Sequence, residues 1–98
     1  MEERRKSARV PIKLRGLYHL QGEESWKECS VVDLSRNGMG IAFLTQEEID
    51  VGSTIHLKVF YLKEPNTANI KGILKWIKPM ENGFIGGIEI TSLTGAEL

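Results

Sequence analysis

Residues 55–61 read Ile55-His56-Leu57-Lys58-Val59-Phe60-Tyr61. Ile55, Leu57, Val59 and Tyr61 fall on one phase of a two-residue period, and His56 and Lys58 fall on the other. Successive side chains of a strand point to opposite faces, so this stretch is a strand with one buried and one wet side. The same period recurs on both sides of it. Upstream, Val10, Ile12, Leu14, Tyr18 and Leu20 alternate with Lys13, Arg15 and His19, and Gln21-Gly22-Glu23-Glu24 reads as a turn. A second strand covers roughly Trp26 to Leu34, and Asn37-Gly38, a pair suited to a two-residue hairpin, precedes a third, Met39 to Leu44. Downstream, Ile70, Leu74 and Trp76 share a phase opposite Lys71 and Lys75; Asn82-Gly83 turns the chain, and Phe84, Ile88 and Ile90 line one face of a sixth strand. Six strands at hairpin spacing predict an all-β fold, a six-stranded antiparallel β-barrel. Thr45-Gln46-Glu47-Glu48 has capping-box spacing and predicts one short helical turn before Asp50 and Gly52 end it. The tail from Ser92 to Leu98 can start a helix but is too short to be one, so little or no C-terminal helix is expected.

The bulk numbers fit one domain over residues 1–98. The chain has 98 residues, 41% hydrophobic and 27% charged. At this size roughly two-thirds of the unfolded surface can be buried, which suffices for one core. A single cysteine, Cys29, excludes an internal disulfide and any zinc site built on several cysteines, and a reduced, cytoplasmic setting is the expectation. The longest apolar run, Met39 to Leu44, is far shorter than the ~20 residues of a spanning helix, so no membrane partner is expected. His19 and His56 lie on polar phases of separate strands without metal-ligand spacing and read as solvent-facing residues. Cys29 reads as a small core residue. With no nucleophile, metal or phosphate-loop motif, the chain is not expected to be an enzyme, nor to need a metal or cofactor.

Net charge is zero, from 13 basic and 13 acidic residues, but the charges are segregated. Residues 1–15 carry six basic groups against Glu2 and Glu3, a net +4, which leaves −4 for the rest. Neutrality argues against non-specific nucleic-acid binding. The positive charge sits in Arg4-Arg5-Lys6-Ser7-Ala8-Arg9, which reads as a flexible cationic arm over residues 1–9 or, more plainly, as a solvated terminus. Guanidinium forks match phosphate oxygens and the O6/N7 edge of guanine. A second segment, Asp33-Leu34-Ser35-Arg36-Asn37-Gly38, has the composition of a hairpin turn. Asp33 and Ser35 also alternate with Leu34 and therefore face together. A carboxylate there can accept from guanine N1–H and its amine.

Arg5-x-x-x-Arg9, followed about two strands later by Asp33-x-Ser35-x-x-Gly38, resembles the PilZ domain over essentially the whole chain. That family is a six-stranded barrel serving as a bacterial receptor for cyclic di-GMP. The resemblance implies that Arg5 and Arg9 wrap the nucleotide, that Asp33 and Ser35 hold a guanine, and that Gly38 permits a close turn. Arg4, just before the first motif arginine, points to two ligand molecules per domain. Arg36 and Asn37 are included for proximity alone. Trp76 shares the phase of Ile70 and Leu74, which places it in the core; the alternative is the rim of the site, near a guanine. The expected output is a motion of the arm that alters the surface offered to a downstream protein or attached domain. Two other readings remain: a small barrel binding single-stranded nucleic acid, and a ligand-free protein-interaction module.

Overall fold

The computed structural model describes residues 10–61 and 67–94. Six strands follow in order: β1 (Val10–Leu20), β2 (Lys27–Leu34), β3 (Gly38–Phe43), β4 (Thr54–Phe60), β5 (Thr67–Met80) and β6 (Gly83–Thr94). They close into an antiparallel barrel in the order β1-β2-β3-β6-β5-β4. Closure leaves no unpaired sheet edge. Alternation sets the core. Ile55, Leu57 and Val59 of β4 point inward and are buried, joined by Tyr18, Val31, Ile41, Phe43, Leu74 and Ile88 from the other strands. Tyr18 and Phe43 pack edge-on, with ring centroids 4.9 Å apart. Cys29 is buried, as its strand position implies.

Four local expectations change, the first being that Glu81-Asn82 rather than Asn82-Gly83 turns the chain between β5 and β6, since Met80 pairs with Gly83. Residues 45–48 do not make the helical turn: the Thr45 hydroxyl accepts the Glu47 N–H (3.1 Å), a local turn that takes the cap donor without continuing into helix, and no helix occurs among the described residues. Ser92–Thr94 belong to β6 rather than to an incipient helix. The β2–β3 turn is centred on Arg36-Asn37 instead of Asn37-Gly38. Leu34 pairs with Met39, and the Ser35 N–H donates to the Gly38 carbonyl (3.0 Å), closing a two-residue loop. Residues 1–9, including the arm, lie outside the described residues.

Four irregularities interrupt otherwise regular ladders, the first in β1 between Pro11 and Leu14, which pair with Asp33 and Val31 of β2. Val32 is an extra residue in β2 against β3, Thr91 in β6 against β5, and Lys75 in β5 against β6. A bulge sets two residues against one on the partner and re-aims the side chains beside it.

Candidate functional site

The register lines up one outward row across four strands. Asp33 of β2 pairs with Gly40 of β3, Gly40 with Gly87 of β6, and Gly87 with Trp76 of β5. Strands about 4.8 Å apart make this row about 14 Å long. Its centre carries no side chains. The space that a Gly40 Cβ would occupy is taken by the Asp33 carboxylate, with Oδ2 at 2.6 Å. The space beside Gly87 is taken by the Trp76 indole, with Cε2 at 2.6 Å. Asp33 and Trp76 therefore lie as two walls over a two-glycine floor. The row just inside it, Leu34, Met39, Ile88 and Leu74, faces the core. The outward row thus sits directly over packed interior, which fixes its backbone.

Two bulges place the walls. Val32 lies just before Asp33, and Lys75 just before Trp76. The Lys75 bulge breaks the phase that Trp76 shares with Ile70 and Leu74, so Trp76 turns outward and is 38% exposed. The core placement of Trp76 is thereby corrected: its indole lies on the outer face. Ile77, the next residue, packs against the core instead. Lys78, two residues on, sets its Nζ 5.7 Å from the Trp76 ring centroid and adds a cation to that wall.

Ser35 stands on the Asp33 side, half-buried; its hydroxyl donates to the Gly38 carbonyl (3.4 Å). Asp33 and Ser35 are brought together beside alternate positions of β3, Gly40 and Gly38. Gly38 serves strand packing: a Cβ there would stand 2.5 Å from the Ile88 carbonyl oxygen, and the neighbouring Asn37 carbonyl accepts the Ile90 N–H (2.9 Å). Its backbone is not in the left-handed region, unlike Gly22, Gly52 and Gly83. Arg36 and Asn37 are exposed at the tip of the turn. Arg4, Arg5 and Arg9 lie outside the described residues. β1 begins at Val10, opposite Leu34, and Pro11 pairs with Asp33.

Gly40, Gly87 and Lys78 were not singled out from sequence. A signal for the floor was present in Gly38-Met39-Gly40-Ile41-Ala42-Phe43, where one phase holds only small residues and the other only large ones. Among the described residues no cluster of three or more His, Cys, Asp or Glu could hold a metal, and no helix is long and apolar enough to cross a membrane.

The comparisons agree with this architecture. No curated protein sequence gives a significant match. Among solved structures, the Bacillus subtilis inhibitor of motility MotI/DgrA superposes with a TM-score of 0.72 at 13% identity, over 95% of this chain and 44% of that one. The chain thus spans less than half the length of that protein, and the likeness is one of fold. The PilZ domain family model matches residues 3–98. That family is one of cyclic di-GMP-binding receptor domains rather than catalysts, and this chain belongs to the PilZ domain family.

Proposed function

We propose that this domain is a cyclic di-GMP receptor whose arginine-bearing arm folds over nucleotide docked on the outer row. The observation that carries the reading is the Asp33–Gly40–Gly87–Trp76 row. Gly40 and Gly87 let the Asp33 carboxylate and the Trp76 indole lie low against the sheet, where a flat base can settle over them. Asp33 supplies the acceptor that a guanine N1–H and amine need, and Trp76 supplies an apolar wall with the Lys78 cation beside it. Arg9 directly precedes Val10, and Arg5 stands four residues further back. An extended chain spans at most about 3.5 Å per residue, so Arg5 and Arg9 have the reach to cover a row about 14 Å long. Arg4 adds a third guanidinium, which suits two stacked nucleotides per domain. Ordering the arm costs about 1–2 kcal/mol per residue, and charge-assisted bonds of roughly 1.5–3 kcal/mol each offset it when several form together. The ordered arm then changes the surface offered to a downstream protein or attached domain.

Calorimetric titration with cyclic di-GMP, GMP and a short oligonucleotide tests the reading. Cyclic di-GMP should bind at two molecules per chain, and GMP and the oligonucleotide far more weakly. Arg5→Ala and Arg9→Ala should abolish most binding with the thermal melt unchanged. Normal binding by both variants would reject the arm. Preference for the oligonucleotide, with steep salt dependence, would replace this function with single-strand binding.

A further inference from the structure

On the wall formed by β1, β4, β5 and β6, the register builds two more outward rows. His19 pairs with His56, His56 with Lys71, and Lys71 with Ser92. Two residues along, Leu17 pairs with Lys58, Lys58 with Asn69, and Asn69 with Thr94. Between them runs the inward row Tyr18, Leu57 and Ile70, which ends at the exposed Leu93. All of the outward residues except Leu17 and Lys58 line, with Trp26, a groove of about 320 Å³ that shares no residue with the Asp33–Trp76 row. The two imidazoles stack, 4.7 Å apart and 9° from parallel, and Trp26 meets His19 edge-on at 4.4 Å. Lys58 Nζ stands 5.0 Å from the Trp26 ring centroid.

The geometry points to a second binding site in this groove, for the phosphate group of a small molecule, held by Lys71, the His19–His56 pair and the Ser92 hydroxyl with Lys58 and Asn69 beside them. Lys71, Lys58, Ser92 and Asn69 offer N–H or O–H donors. His19 Nδ1 lies 3.0 Å from the Leu20 carbonyl oxygen and His56 Nε2 2.9 Å from Gln21 Oε1, so each imidazole offers the groove a donor from its other nitrogen when it is protonated. None of the described residues lining the groove is a carboxylate. That is notable on the part of the chain that carries the −4 balance. Among the described residues the carboxylates of the surrounding elements are Glu23, Glu24 and Glu28 on the β1–β2 side, of which Glu24 is exposed, and Glu89 on β6. Lys27 holds Glu23 (3.1 Å), Lys75 holds Glu89 (3.5 Å), and Glu28 lies beyond Leu17 at the far end of its row. A positive charge on His56 is opposed by its surroundings. Desolvation first, then His19 and Lys71, hold His56 below the ordinary histidine range. An oxyanion in the groove compensates that charge, so binding strengthens as pH falls through the histidine range. Surplus cationic charge makes the same pair a poor site for a metal cation.

The test uses the full chain with Trp76→Phe, which leaves Trp26 as the single tryptophan. Pyrophosphate is titrated at constant ionic strength while Trp26 emission is followed. A saturable response is expected near pH 6, with a half-point of about 1 mM, weakening at least about tenfold by pH 8. Lys71→Gln and Lys58→Gln should each weaken it about tenfold, and Asp33→Ala should leave it unchanged. His56→Gln should reduce the pH dependence, and His19→Gln with His56→Gln should remove it; if these variants do not fold, the two lysine variants decide. A response that only tracks added salt, persists in both lysine variants, or is outcompeted by zinc at pH 8 would overturn the proposal. None of these failures touches the nucleotide reading, which is probed with a different ligand at other residues.

Discussion

Gly38, Gly40 and Gly87 lack side chains on account of three different neighbours, and the neighbours set what each substitution costs. At Gly38 an added methyl would meet the Ile88 carbonyl oxygen at 2.5 Å, which is backbone and cannot swing aside. At Gly40 it would meet the Asp33 carboxylate, the end of a short side chain on the outer face. Gly38→Ala should therefore destabilise the barrel by about 1–3 kcal/mol, the range of overpacked interiors, lowering the thermal midpoint with or without ligand. Gly40→Ala should melt close to the parent yet lose at least about tenfold in cyclic di-GMP affinity, because the carboxylate is pushed off the row. Equal melting points for the two variants would show that β3 and β6 separate easily at Gly38, and would remove the packing role assigned to it. Gly38 thus serves strand packing, while Gly40 makes room for the Asp33 carboxylate on the outward row.

The bulges are the elements that give an otherwise regular barrel the outward row walled by Asp33 and Trp76. In β5, Leu74 points in and Ile77 points in, and the extra Lys75 lies between Leu74 and Trp76. Removing Lys75 leaves Leu74, Trp76 and Ile77 on the faces they already occupy. Removing Ile73 from the regular ladder instead turns the fully buried Leu74 outward and Lys75 inward. Deletion of Lys75 should give a folded protein with Trp76 emission still that of an exposed indole. Deletion of Ile73 should abolish cooperative unfolding. The surface pair Lys75–Glu89, lost in the first variant, is worth little by comparison. This element also marks the limit of reading the sequence alone. The strands were legible because Ile55, Leu57 and Val59, or Met39, Ile41 and Phe43, alternate without interruption. The face of Trp76 was not, because one unpaired residue inverts the count and its position depends on β6. The turn at Thr45 misled for a related reason: its spacing fits a cap, but the same hydroxyl also bonds the buried Tyr18 side chain, and tertiary packing overrode the local signal. The motif positions Asp33 and Ser35 were readable within one segment; their alignment with Gly87 and Trp76 required three registers at once.

At the scale of the whole molecule, the core contains two groups whose protons it retains. Burial pushes the Cys29 thiol up to about 12, with Glu28 adding to the shift. Burial also raises the Tyr18 phenol above its ordinary value, against the lowering effect of its bond to Thr45. Both groups are neutral when protonated, so folding favours the protonated form. In the unfolded chain Cys29 loses its proton near pH 9. Its contribution is therefore intact below pH 9 and is lost as pH rises from there toward the folded value. The slope over that window is about 1.4 kcal/mol per pH unit for Cys29 alone, and Tyr18 adds to it once pH passes the ordinary phenol value of about 10. Urea midpoints measured from pH 7 to pH 11 should hold steady and then fall steeply above pH 9. Cys29→Ala should start lower, because it opens a small cavity against Gly16, and then show a shallower alkaline fall that begins only where Tyr18 ionises. If the variant and the parent fell in parallel from pH 9, the thiol would not be the group that titrates. The same burial makes a second reading available without unfolding the sample in bulk. At pH 8 a thiol reagent should modify Cys29 only through global opening, so its rate should follow the equilibrium stability and rise sharply in Gly38→Ala. Ligand bound on the outer row, which stabilises the folded barrel by mass action, should slow that rate in proportion to its occupancy, reporting from the core on a site that Cys29 itself does not touch.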